Sequence, residues 1–186
     1  LHGLFYCPTL INNVETFYNI SLVNSGQYNN ERFYTLNGLI KNKGVFLLGA
    51  NLTINEILRA TGNYPKFKFF VQVGGDASGE VLNSSQLDRI ASGAASITIY
   101  NLKTHQPEKL LRYWINFFKS SSCGQCTPCR EGSARLAELI NHKPIDWPNF
   151  LLIIEALELS SFCALGSSLP LPIKSYFNNI AGFFDI

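Results

Sequence analysis

Cys123-Gly124-Gln125-Cys126-Thr127-Pro128-Cys129 sets three thiols at intervals of two intervening residues on one short stretch of backbone. A fourth cysteine, Cys163, follows thirty-four positions after Cys129. Thiols this close in sequence can converge on a single object, and the fold must then return Cys163 to them. Four thiolates meeting at one place are the ligand set of a [4Fe–4S] cluster or of a zinc ion. Zinc sites commonly draw their ligands as two separated C-x2-4-C pairs. Three ligands from one loop and one from far away is instead the habit of a cubane. A zinc ion that staples helices together is the competing reading.

The residues between the cysteines suit the first reading. Gly124 and Pro128 bend the backbone so that its N–H groups can face the sulfurs, which raises a cluster's reduction potential. Arg130 and the N-terminus of a helix after Cys129 add positive potential nearby. A cluster ligated by cysteine at all four irons has no open position for substrate, so it stores and passes electrons. No spacing ties His2, His105 or His142 to a cysteine, which speaks against a reactive-thiol enzyme. All three read as solvated surface residues, and Cys7 as an isolated thiol, buried or half-buried.

Composition bounds the rest. The 186 residues suffice for one domain with a full core or for two small ones. Hydrophobic residues make up 46% and charged ones 15%, which excludes a disordered or nucleic-acid-binding tail and hints that other subunits cover part of the surface. A net charge of +2 is too small to point to phosphate or anionic lipid. Five cysteines, three of them within seven residues, do not resemble a secreted disulfide framework and fit a reducing compartment. No signal-peptide pattern is present, and no apolar run approaches the roughly 18 residues of a membrane span. The longest, Phe150 to Leu159, is interrupted by Glu155 and Glu158. A soluble or peripheral protein without direct membrane insertion is expected. The chain has no methionine and opens on Leu1-His2-Gly3-Leu4, which suggests a processed protein, a fragment or a piece of something longer.

Taken in order, Leu1 to Pro8 read as an irregular entry. Asn13 is a plausible N-cap for a helix through Val14, Phe17, Tyr18 and Leu22, with Glu15 at its positive end and Gly26 as its stop. The Asn12–Asn13 amides can cap that helix or hydrogen-bond a ligand, and capping is the plainer reading. Phe33 to Ile40 and Val45 to Leu48 flank a turn at Lys41 to Gly44 and predict a hairpin. Thr53-Ile54-Asn55-Glu56 is a capping box ahead of an apolar stripe that ends at Gly62. Phe67 to Val73 and Ile97 to Tyr100 read as further strands. Gly74 to Gly79 lacks the register of a phosphate loop and reads as a turn leading into Val81-Leu82.

From Pro107 the pattern becomes helical. Leu110, Leu111, Trp114, Phe117 and Phe118 form one aromatic face, predicted to be core and to wall the cysteines from water. Further helices are predicted from about Glu131 to Asn141, from Asp146-Trp147-Pro148 towards Cys163, and after Pro170 and Pro172. The predicted fold class is α+β: a small β-grasp unit, in which a sheet wraps one helix, followed by a four-helix bundle that carries the cysteines.

Ser122-Cys123-Gly124-Gln125-Cys126-Thr127-Pro128-Cys129-Arg130-Glu131-Gly132, followed by Phe162-Cys163-Ala164-Leu165-Gly166, resembles the cluster-binding end of one protein family. That family is the flavin-carrying, NADH-oxidising subunit of respiratory complex I, with the related diaphorase subunits of NAD-linked hydrogenases and formate dehydrogenases. Pro8 to Thr16 is similar to the family's segment lining the flavin pocket, and the middle region to its β-grasp domain of the soluble-ligand-binding type. The resemblance implies three parts: residues 1–30 as the remnant of a flavin-domain C-terminal segment, 31–103 as the β-grasp domain, and 104–186 as a helical [4Fe–4S]-binding domain. It matches Cys123, Cys126, Cys129 and Cys163 to cluster ligands, and Asn12 and Asn13 to flavin-pocket asparagines, which overrides capping as their sole role.

The implied function is electron transfer within an NADH dehydrogenase (NADH:quinone oxidoreductase). Electrons pass from FMN through the cluster to a neighbouring iron–sulfur subunit, with NAD involved indirectly. The implied partners are a flavin- and NADH-binding domain or chain and the iron–sulfur subunits of a complex I-like assembly. The implied location is peripheral, on the matrix side of the mitochondrial inner membrane or in the bacterial cytoplasm. The alternative is a non-catalytic assembly subunit whose zinc or cluster is structural.

Three departures from the family matter. Its main flavin- and NADH-binding domain has no counterpart in this sequence, and two matched asparagines cannot hold FMN alone. The span from Cys129 to Cys163 is shorter than the family's, which implies a clipped connection around His142 to Pro148. In addition, Ser121 stands where the family commonly has Glu. Loss of a carboxylate beside the cluster raises its potential, because the added electron meets less negative charge. Ser121→Glu is therefore expected to lower the midpoint in a redox titration, and an unmoved midpoint would count against this account.

Overall fold

A computed structural model describes residues 3–75, 77–91 and 93–182. The fold is α+β, with a mixed five-stranded sheet and a set of helices packed on it. The chain begins with a 3-10 turn, Leu4–Tyr6, and helix α1, Val14–Asn24. Asn13 caps α1, its side-chain oxygen accepting from the N–H groups of Glu15 at 2.7 Å and Thr16 at 3.3 Å. Gly26, at φ +70°, turns the chain out of the helix. No residue of α1 is buried. Its anchor is Glu15, whose carboxylate accepts from the Phe33 N–H at 2.8 Å.

Strands β1 (Glu31–Gly38) and β2 (Gly44–Gly49) form the expected antiparallel hairpin. Helix α2 (Ile54–Ala60) follows, then β3 (Phe69–Val73), β4 (Glu80–Asn83) and β5 (Ser96–Asn101). The sheet order is β2-β1-β5-β3-β4, with β1 and β5 parallel and the other pairs antiparallel. Thr53 forms the complete capping box with Glu56. Thr53→Ala should cost about 1 kcal/mol, read as a lower urea midpoint at unchanged slope, because one helix N–H loses its acceptor.

Strand alternation sends side chains to opposite faces. Val71 and Val73 of β3 join Ile97 and Ile99 of β5 and the buried Ile54, Ile57 and Leu58 of α2 in one core. Phe70 and Val81 face the other way, into the helical layer. All five residues of β3 are buried, so it reads as a continuous apolar run broken only by Gln72.

Strand β4 is not predicted by the sequence pattern. It is four residues long, and two residues from late in the chain complete its outer edge: the Val81 N–H donates to Ser175 Oγ at 2.8 Å, and Asn179 Nδ2 donates to the Val81 carbonyl at 2.7 Å.

The helical layer comprises α3 (Pro107–Ser121), α4 (Thr127–Leu139), α5 (Trp147–Ser160), α6 (Ala164–Ser168) and α7 (Pro170–Asn179). Leu110, Leu111, Trp114, Ile115 and Phe118 are buried on α3, whereas Phe117, read as core from its spacing, is 42% exposed. A buried amide also ties the layer to the sheet. Gln72 Oε1 accepts from Trp114 Nε1 at 3.2 Å and from the Tyr100 hydroxyl at 3.4 Å, while Gln72 Nε2 donates to the Gly79 carbonyl.

His105 corrects its assignment as a solvated residue. It is half-buried, with Nδ1 at 2.9 Å from the Leu102 carbonyl and Nε2 at 2.8 Å from the Tyr176 hydroxyl. Burial pushes the Tyr176 pKa up to about 12, so this hydroxyl keeps its proton. His142 is exposed as expected, and His2 lies outside the described residues. Cys7 is exposed, contrary to expectation. Among the described residues no helix is long and apolar enough to cross a membrane.

Candidate iron–sulfur site

The cysteine loop joins α3 to α4. Helix α3 ends at Ser121, and Ser122 turns the chain into extended backbone. Gly124, at φ +78°, takes the left-handed conformation that makes the loop tight. Helix α4 then starts earlier than the hydrophobic pattern alone suggests, with Cys126 as its N-cap and Cys129 in its first turn. Pro128 is tolerated there because the first N–H groups of a helix have no intrahelical acceptor. Those free donors and the dipole make this a site for negative charge.

Cys126 and Cys129 are buried; Cys123 and Cys163 are exposed. The distant strand of the site comes from the α5–α6 connection, with Cys163 as the residue before α6. Gly166 in α6 packs so closely that a Cβ there would stand 3.2 Å from the Cys129 Cβ. The backbone amides of Phe162 and Cys129 hold the Cys126 thiol below the usual cysteine range, with smaller help from Arg130. The segment carrying Cys163 is thereby returned to the loop carrying the other three cysteines.

Around them, Ser122 Oγ lies 3.4 Å from Cys129 Sγ and accepts from the Gly124 N–H at 3.3 Å. Arg130 Nη1 donates to the Gly124 carbonyl at 2.8 Å, and its Nε pairs with Glu131 at 2.8 Å. Its positive charge is therefore fixed over the loop, as expected. Ser161 Oγ is buried without a hydrogen-bond partner.

Among the described residues no three Cys, His, Asp or Glu side chains close on a point as they would around a single ion. A cubane takes its sulfur ligands at four separate iron corners, so its fit rests on the donor set and the surrounding backbone. Both fit: four thiols from two facing segments, amides directed at Cys126, hydroxyls beside Cys129 and a guanidinium on the loop.

Asn12 and Asn13 lie apart from this site, at the start of α1. Both are exposed. The Asn13 oxygen is spent on the cap, so its NH₂ group is what remains to meet a ligand.

Sequence reasoning finds the cysteines and misses the hydroxyls. Ser122 and Gly166 stand inside the cysteine motifs without a role of their own, and nothing in the pattern singles out Ser161.

A cysteine loop at a helix start, faced by a segment carrying a fourth cysteine, offers the donor set of an iron–sulfur site. Residues 109–184 match the family model described as the NADH-ubiquinone oxidoreductase-F iron-sulfur binding region. The chain is similar to the flavin-carrying, NADH-oxidising subunits over part of their length. It is 29% identical over 206 aligned positions to the F subunit of the NADH-quinone oxidoreductase of Mycobacterium bovis, covering 93% of this chain and 45% of that one. It is 25% identical to HndC of the NADP-reducing hydrogenase of Solidesulfovibrio fructosivorans, covering 98% of this chain and 43% of the other. Its fold matches a chain of an NAD+-reducing [NiFe]-hydrogenase crystal structure with a TM-score of 0.86 at 21% identity, over 99% of this chain and 36% of that one. The chain thus spans less than half the length of the curated relatives it matches.

Proposed function

We propose that this chain is the electron-transfer portion of an NADH-dehydrogenase flavoprotein subunit, and that Cys123, Cys126, Cys129 and Cys163 hold a [4Fe–4S] cluster. The observation that carries this reading is the packing of the 161–166 segment on the cysteine loop, with Gly166 against Cys129. When bound, the cluster accepts and releases single electrons without opening a coordination site to substrate.

The chain's own residues do the rest. Buried Cys126 and Cys129 fix the inner side of the site, and exposed Cys123 and Cys163 leave the outer side within reach of a partner. Arg130 and the α4 N-terminus favour the added negative charge.

The division of the chain is proposed on the same grounds: residues 1–30 as the end of a flavin domain, 31–103 as a β-grasp domain of the soluble-ligand-binding type around α2, and 104–186 as a helical cluster domain. Asn12 and Asn13 would meet FMN, most of whose pocket belongs to a flavin- and NADH-binding domain or chain. The outer surface of α1 supports that completion, since Val14, Ile20 and Val23 are all more than half exposed. Electrons would leave towards the iron–sulfur subunits of a complex I-like assembly, with the chain peripheral to the membrane, in the matrix or the bacterial cytoplasm.

Metal and acid-labile sulfide analysis of anaerobically prepared protein tests the reading. About four iron and four sulfide per chain are expected, with broad visible absorbance that bleaches on dithionite. One zinc and no sulfide would overturn it.

A further inference from the structure

We infer that the Ser161 hydroxyl is a hydrogen-bond donor to a sulfur of the cluster held by these cysteines, and that it raises the cluster's reduction potential. This rests on the four-cysteine reading above. Ser161 is the C-cap of α5, where the chain turns from helix to extended backbone at ψ 139° and its N–H still reaches the Leu157 carbonyl. A serine at a helix end readily returns its hydroxyl to a carbonyl of the preceding turn, as Ser160 does to Ala156 at 2.5 Å. Ser161 does not. Its oxygen is buried and unpartnered.

That oxygen lies at the edge of the site. A Cβ built on Gly166 would lie 2.4 Å from Ser161 Oγ and 3.2 Å from the Cys129 Cβ, so the hydroxyl fills the space that a side chain at 166 would take beside Cys129. The Ser122 hydroxyl, which lies at Cys129 Sγ, is already engaged by that sulfur and the Gly124 N–H. A buried donor without an acceptor is seldom left so in a native protein. Thiolate and sulfide sulfur are the acceptors that cluster binding would supply here. Donation to sulfur stabilises the more negative, reduced cluster and makes reduction easier. Ser161 is thus a positioning and tuning residue.

The test is an EPR-monitored potentiometric titration of the anaerobically reconstituted chain, its Ser161→Ala and Ser161→Thr variants, and Gly166→Ala, with iron and sulfide measured on each. Ser161→Ala should keep its iron and sulfide and shift the reduction equilibrium about tenfold towards the oxidised form, which for one electron is about 59 mV. Ser161→Thr should stay near wild type. Gly166→Ala, whose new methyl group displaces the same hydroxyl, should move in the same direction as Ser161→Ala. A fully loaded Ser161→Ala with the wild-type midpoint overturns the inference. If that variant loses its cluster, an unmoved Gly166→Ala midpoint overturns it instead. Wild-type protein that takes up no iron and sulfide overturns the four-cysteine reading itself, which the metal analysis registers before any midpoint is read.

Discussion

Alanine at position 126 should strip the chain of its cluster, leaving iron at about a tenth of the wild-type content or less and no visible absorbance. Cys126 combines burial with a bias towards the thiolate, through the amides of Phe162 and Cys129. Its removal leaves those amides and the α4 N-terminus facing a gap that neither solvent nor a neighbouring side chain readily fills with negative charge. Cys7→Ala provides the control, because Cys7 is exposed and lies in the entry segment, away from the loop. Its iron content should equal that of wild type. Full iron in Cys126→Ala, or equal loss in both variants, would mean that the metal is held elsewhere.

The second large effect belongs to the junction of sheet and helices. Trp114→Ala should lower stability by about 3–5 kcal/mol in urea denaturation, as expected for a large aromatic side chain lost from a packed core. Trp114 is fully buried, meets the Tyr176 ring edge-on at 5.8 Å and donates its indole N–H to Gln72. Removing it opens a cavity and also takes one of the two donors from a buried amide oxygen. Trp114→Phe, which keeps a ring and loses the N–H, should cost about 1–3 kcal/mol. An alanine variant weakened by less than about 1 kcal/mol would show that the junction is loosely packed.

Most of the elements are legible in the sequence because their signals are local. The Asn13 cap, the Thr53–Glu56 box, the β1–β2 hairpin and the helical stripe from Pro107 each depend on residues within a few positions of one another. What escapes depends on distance. Strand β4 is recognisable only once Ser175 and Asn179, more than ninety positions later, serve its edge. His105 reads as solvated because no sequence pattern places Tyr176 against its ring. The five-residue helix α6 is too short to carry a periodicity.

The site divides in the same way. The cysteine spacing names a donor set and the surrounding motif names a family, but the role of a hydroxyl such as that of Ser161 is defined by what lies across from it. The residues assigned to the flavin pocket show the reverse case. The Asn13 cap can be read locally, whereas the ligand contact of Asn12 and Asn13 is available only through resemblance.

The packing of Phe70 and Val81 into the helical layer has a consequence for how such a chain can be cut and recombined. Chain order suggests a seam near residues 103–104, between the last strand and α3. The apolar cluster that encloses Trp114, Phe118 and Tyr176, and that also contains Cys126 and Cys129, draws Phe70, Ala77 and Val81 from the other side of that seam. A gene fragment encoding only the helices would forfeit part of the wall behind its own cysteines. Grafting the proposed electron relay onto another protein would therefore require carrying the sheet along with it.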